Sequence, residues 1–425
     1  MLGYDNLKSM AETVRGLIVA SGGGLRFTDS SLIERLRDES VKLFAGETLG
    51  EASKWSRIML EEAYRAVSLV RARGVIFPKE LRSFISNPPH HLSKKLFQYS
   101  IDLARSKMSV EEYMAKAKSA IATSLRTNMR SIYQYWVFLG LVSTLAERGA
   151  YMVYPEHGYI HIERAGRQRG GSIPANLVLR LPGKGEASFY IEAPRPVGWG
   201  DTRDLRKVWS LYVSLRPDMI IYKGRVVDMV DHDSAAAGGP PVKKPNLIVE
   251  CKELRDWYER TRYLKGSLAK PLTAEEWYSR WWSGLVEGLG DILGVEAKAG
   301  VARRERSIKV KEYRLVLLYK EVYKPEELVL VSRSRLPWHV KKDLEDNGVT
   351  VVDGLEIGWR DGLNELASIV ERYFGGEQGD PLESVEAKLR SMGISFDRVR
   401  LLEALAELAD AHIEELARLL SKRGS

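Results

Sequence analysis

Apolar residues change their spacing along this chain, and the change divides it. Ile33, Leu36, Leu43 and Phe44, then Met59, Ala63, Ala66, Val67 and Val70, recur at helical spacing. Gly22-Gly23-Gly24 and Asn87-Pro88-Pro89 punctuate these segments. Residues 119–148 read as a long helix whose apolar face holds Ile132, Trp136, Leu139 and Val142. Beyond it the runs shorten and turn β-branched. Residues 151–154 and 159–162 flank a His157-Gly158 turn, and 177–179 and 189–191 form a hairpin across Pro182-Gly183-Lys184-Gly185. Further strands are read at 218–222, 247–249, 313–319, 328–332 and 349–352, with a short helix over 337–347. Strand, helix, strand at the end of that series predicts a parallel pair.

Three regions follow. Residues 1–118 are expected to form an all-helical N-terminal domain. Residues 119–374 form an α/β core with a mixed central sheet flanked by helices. A Gly375–Pro381 linker leads to a helical C-terminal segment, 380–425, where Leu402, Leu405, Ala409, Ile413, Leu416 and Leu420 make one apolar stripe. The helical region shows no catalytic cluster. His90-His91 there reads as a surface loop, and His157 and His161 as structural or surface residues.

The chemistry concentrates in two phrases, Pro217-Asp218 and Glu250-Cys251-Lys252, each at one end of an apolar run. Side chains alternate in a strand, so Glu250 and Lys252 share a face while Cys251 points to the other. If the two strands pair, Asp218 joins them. Asp218, Glu250 and the backbone carbonyl of Cys251 then offer three oxygens to a hard divalent cation, Mg²⁺ with Mn²⁺ as substitute. Lys252 beside them can orient or deprotonate a water, with a pKa lowered by burial and the metal, or neutralise charge on a phosphate. Glu192, at the end of the preceding strand, is a further candidate carboxylate.

Pro217, Asp218, Glu250 and Lys252 resemble the PD-(D/E)xK, restriction-endonuclease-like nuclease superfamily. The resemblance covers roughly residues 120–355 and includes the order helix, three antiparallel strands, helix, parallel strand. It implies metal-dependent phosphodiester hydrolysis by in-line attack. In that family, and in the nuclease subunits of modification-dependent restriction systems, the leading helix often carries a glutamate before an aromatic pair. Here the phrase is Ile132-Tyr133-Gln134-Tyr135-Trp136, so Gln134 stands where an acid is expected. Gln134 cannot exchange a proton, but it can orient a water or a metal ligand.

Charge adds a partner. The 425 residues carry a formal net charge of +8. Residues 380–425 hold seven bases against nine acids, so the excess lies in the rest of the chain and favours a polyanion. Lys243, Lys244, Arg255, Arg260, Arg262 and Lys265 are the candidate DNA contacts. The aromatics from Trp257 to Trp282 are read mainly as packing residues. One cysteine excludes an internal disulfide and a cysteine zinc site. No signal peptide or membrane-length apolar stretch is read, so a soluble cytoplasmic protein is expected. Scarce glutamine with plentiful Arg, Lys and Glu fits a thermophile. The expected function is a Mg²⁺-dependent DNA endonuclease of restriction or genome defence, as a possible homodimer or with an ATPase or other partner subunit. The alternatives are a repair or recombination nuclease, and a catalytically silent nucleic-acid-binding subunit of the same fold.

Overall fold

A computed structural model describes residues 2–21, 24–27, 29–162, 173–192, 217–231, 243–264 and 308–375. The chain divides into two units, Met1–Gly376 and Glu377–Ser425. The expected helical segment 380–425 lies outside the described residues.

The first unit opens with α1 (Leu2–Val14), the antiparallel hairpin β1 (Ile18–Ser21) and β2 (Gly24–Phe27), α2 (Ser30–Ala45) and α3 (Thr48–Val70). Strand β3 (Gly74–Ile76), α4 (Lys79–Ser86), α5 (Pro88–Lys95), α6 (Phe97–Ala104) and α7 (Val110–Glu147) follow. The side chain of Asp29 caps α2, that of Asn87 caps α5, and that of Ser109 accepts the Glu112 N–H of α7. Each satisfies an amide that a helix start leaves unpaired. The N-terminal region is therefore not all-helical. Ile18-Val19 and Val75-Ile76 are short β-branched pairs, and their preference outweighs the helical spacing around them. The expected boundary at 118 falls within α7, and helices on both sides of it share one apolar core.

Next come β4 (Tyr151–Tyr154), β5 (Tyr159–His161), β6 (Leu177–Leu181), β7 (Gly185–Ile191), β8 (Met219–Lys223) and β9 (Leu247–Lys252). A 3₁₀ turn (Trp257–Glu259), β10 (Thr261–Leu264), β11 (Ile308–Lys311) and α8 (Glu312–Tyr323) lead to β12 (Glu327–Ser332), α9 (Trp338–Asp346), β13 (Val349–Asp353) and α10 (Asp361–Glu371). The main sheet has the order β13-β12-β9-β8-β7-β6-β4. The first three strands are parallel and the rest antiparallel. The 177–191 hairpin, the β8–β9 pairing and the parallel β12–β13 pair stand as read from the sequence. Two readings change. Strand β5 pairs with β3, not with β4, so no hairpin forms around His157-Gly158. Residues 313–319 are helical, within α8, not a strand.

The sheet has two covered faces. Leu179, Phe189, Met219, Val249, Cys251 and Val331 pack with α7 and α10 in one core. Tyr190, Ile220, Ile248, Leu330 and Val351 pack with α8, α9 and Trp257 in another. Helix α7 serves two environments. Its first half is amphipathic and exposes Arg126 and Arg130, whereas residues 132–145 are buried on all sides. A helix buried all round belongs inside a core. This half carries Gln134 beneath the sheet. Among the described residues no helix is long and apolar enough to cross a membrane.

Candidate functional site

Strands β8 and β9 meet where their pairing stops. The last paired residues are Met219 and Val249. One step further in the same register sets Asp218 opposite Glu250. On the other side Ile191 pairs with Met219, and the Glu192 N–H donates to the Asp218 carbonyl at 2.9 Å. Glu192, Asp218 and Glu250 thus stand in one row across three strands. The next residue back is Pro217, which has no N–H to continue the ladder. The Cys251 amide is left without a strand partner, and Oδ2 of Asp218 accepts it at 2.8 Å. In an antiparallel strand the N–H and C=O of one residue point the same way. The Cys251 carbonyl is therefore turned toward the same gap.

Alternation places Glu250 and Lys252 on the face of α8 and Trp257. Lys252 Nζ lies 2.9 Å from Glu250 Oε1 and 3.7 Å from Oε1 of Glu312, the first residue of α8. It also sits 5.6 Å from the centre of the Trp257 ring. Trp257 is buried, as its reading as a packing residue requires, and its Nε1 donates to Ser332 Oγ at 3.0 Å. From the opposite layer Gln134 Nε2 donates to Asp218 Oδ1 at 2.5 Å. Asp218, Glu250, Lys252 and Gln134 are thus brought together from a bend, a strand and a helix. Glu192 is buried beside them, but its Oε2 accepts the Tyr135 hydroxyl at 3.2 Å and the backbone at Glu192 is left-handed, with φ 39°. A non-glycine residue in that region is strained and needs local support.

Burial, and after it the neighbouring Glu250 carboxylate, pushes Asp218 up to about 8. Lys252 and the Cys251 amide oppose that shift. Burial pulls Lys252 down, but Glu250, Glu312 and Asp218 together outweigh it, and its net direction is up. The expected lowering by burial is present, and without a metal the neighbouring acids outweigh it. Lys252 is an ammonium at neutral pH, held by more acids than the sequence revealed. Burial, then the charges of Asp218 and Glu250, raises the Cys251 thiol well above its ordinary range. It faces α7 and offers neither a thiolate ligand nor a nucleophile.

Two buried oxygens at the site have no hydrogen-bond partner, Oε1 of Gln134 and Oε2 of Glu250. They belong to the residues on either side of Asp218. An unpaired buried acceptor costs about 1–3 kcal/mol, so two together need an explanation. A hard cation would satisfy both. Among the described residues no three His, Cys, Asp or Glu side chains gather as a metal set. The acids here are a pair, Asp218 and Glu250. The other oxygens a cation could use there are neutral, the Gln134 amide and the Cys251 carbonyl. Mg²⁺ commonly takes one or two carboxylates and keeps waters, so the donors fit it.

The expected DNA contacts fare differently. Lys244 is exposed, and Lys243 Nζ donates to the Asp228 carbonyl at 3.0 Å. Arg255 is paired with Glu356 at 2.6 Å and Arg260 with Asp256 at 3.0 Å. The side chain of Arg262, Lys265, and the aromatics from Trp277 to Trp282 lie outside the described residues. His91 is buried edge-on to Phe84 in α5, so His90-His91 is not a surface loop. Sequence reasoning missed Glu312, because 313–319 read as a strand and hid the helix it begins. It also missed Glu253, whose carboxyl is pushed up by burial.

Compared with known proteins, the chain matches no family model, no curated protein and no solved structure.

Proposed function

We propose that this protein is a Mg²⁺-dependent nuclease that hydrolyses DNA phosphodiester bonds on a restriction-endonuclease-like, PD-(D/E)xK core. The observation that carries the reading is the pair of unpartnered buried oxygens, Gln134 Oε1 and Glu250 Oε2, flanking Asp218 beside the Lys252 ammonium. The order of α7, antiparallel β6 to β9, α8 and the parallel β12 supports the same fold reading.

Asp218 and Glu250, with the Gln134 amide and Cys251 carbonyl, would hold the cation. Bound there, Mg²⁺ supplies Lewis-acid activation of water and neutralises charge on the phosphate. Lys252, as an ammonium, would stabilise negative charge that develops on the phosphate or the leaving oxygen. Glu312 and Trp257 hold that ammonium in place. Attack is by water, in line. No described side chain at the site is a competent nucleophile, since the Cys251 thiol is turned away and held protonated.

Restriction or genome defence is the favoured role, and repair or recombination of branched DNA is the alternative. A silent nucleic-acid-binding subunit is favoured by one observation: Asp218 is already engaged on both oxygens, by Gln134 and by the Cys251 amide. A substrate panel separates the three. Plasmid, single-stranded and branched DNA are incubated with Mg²⁺ or Mn²⁺ at raised temperature. Cutting of duplex at fixed positions supports the first role, and preference for junctions or flaps supports the second. Binding with no metal-dependent cutting supports the third and rejects the enzyme.

A further inference from the structure

Arg130 is an exposed residue on the helix that carries Gln134. It lies one helical turn before Gln134 on α7, about 6 Å along the axis, and residues four apart share a side of a helix. It is the last exposed residue before the all-buried half of α7 begins. Arg126, another turn back on the same side, is exposed too. Among the described residues Arg130 makes no hydrogen bond or ion pair, unlike Arg255 and Arg260. Its charge nevertheless reaches inward, acting on both Asp218 and Glu253. An exposed guanidinium with no partner among the described residues, close enough to act on a buried acid of the site, suits an anion that approaches the same acids. The planar fork of an arginine matches a phosphate, and at this site it would add a second cation to the Lys252 ammonium.

We infer that Arg130 is a phosphate-binding residue of this protein, contacting the nucleic-acid backbone beside the bond that is cut, with Arg126 continuing the same ridge. The inference rests on the nuclease reading for the word "cut", but the phosphate contact stands without it. It names a residue that enters from the helix, separate from the basic residues after β9.

The competing account is that Arg130 only neutralises Asp218 and Glu253. Salt dependence tells them apart. Binding of a short fluorescein-labelled duplex, or of a single strand if that binds more tightly, is measured in Ca²⁺ over a range of salt. Each phosphate contact contributes about 0.9 to the slope of log affinity against log salt for duplex and about 0.7 for single strand. Arg130→Met should lower the slope by about that one contact and reduce metal-dependent cutting about 10- to 100-fold, with an unchanged melting temperature. Arg130→Lys should keep the slope, since the charge remains, but recover cutting only in part, since the planar fork is lost. A slope and rate unchanged in Arg130→Met would overturn the inference and leave the nuclease reading intact. A wild type that binds without cutting, with a slope that still falls in Arg130→Met, would reject the nuclease and keep the phosphate site. A wild type that binds neither probe would overturn both.

Discussion

Gln134 Nε2 donates to Asp218 Oδ1 at 2.5 Å, joining the helix beneath the sheet to the carboxylate at its centre. The amide nitrogen is turned to Asp218, and the amide oxygen is left without a partner. In the proposed metal site that leftover oxygen would be the neutral ligand. A glutamate in its place would bring a third carboxyl group to the buried Asp218–Glu250 pair and remove the amide donor to Asp218. Gln134→Glu should therefore destabilise the metal-free protein by about 1–3 kcal/mol. It should also make melting far more dependent on Mg²⁺ or Mn²⁺ than in the wild type. Thermal melts in EDTA and in excess metal check this, and equal melts in both for the variant would contradict the assignment.

The protonation of Asp218 sets a pH dependence. Folded, it holds its proton up to about 8, against an ordinary value of 3.8. Between those values the folded chain binds more protons than the unfolded one. Stability of the metal-free protein should then fall as pH rises through this window and level off above about 8. Asp218→Asn should flatten that slope. Metal needs the deprotonated carboxylate, so metal affinity should rise over the same range, with release of a proton. Calorimetry in two buffers of different ionisation enthalpy reads the proton directly. No buffer dependence would contradict it.

Much of this site could be read from the residues, and the reasons differ by element. Asp218 and Glu250 sit on short β-branched runs that could only be buried strands, and Pro217 marks where their ladder ends. Alternation then put Lys252 with Glu250 and turned Cys251 away. The helix after β11 was hidden by its own pattern. Tyr313, Leu315, Leu317 and Tyr319 alternate like a strand, yet Tyr313, Val316, Leu317 and Tyr323 also fit helical spacing, and it is Val316, Leu317 and Tyr323 that are buried. Periodicity cannot decide between two patterns that coexist. Glu312, which raises the Lys252 pKa, was lost with it. Pairing of β5 with β3 was equally out of reach, because it joins residues far apart in the chain.

Arg333 ties strand β9 to the N-terminal helices. Its N–H donates to the Lys252 carbonyl at 2.9 Å, while its guanidinium lies 4.4 Å over the Trp55 ring of α3 and pairs with Glu51 and Glu356. Arg333→Ala should cost about 1–3 kcal/mol in denaturant melts, since it removes the stacking and both ion pairs from a largely buried side chain. A loss under a few tenths would contradict this role.

Gly140 fixes how closely α10 approaches α7. A Cβ built there would lie 2.5 Å from Cδ1 of Leu363, a fully buried side chain. Alanine would gain about 1 kcal/mol of helix propensity. Overpacking costs about 1–3 kcal/mol, so Gly140→Ala should be neutral to destabilising by about 2 kcal/mol. A more stable variant would show that the two helices can part without cost.

The most direct measurement is the rate of phosphodiester cleavage in Mg²⁺ by the wild type, with EDTA beside it, against Asp218→Asn, Glu250→Gln and Lys252→Met. The account predicts cutting that needs the metal and falls about 10³-fold or more in each variant, with all three proteins folded. Cutting that persists in EDTA, or survives loss of both Asp218 and Glu250, would contradict it.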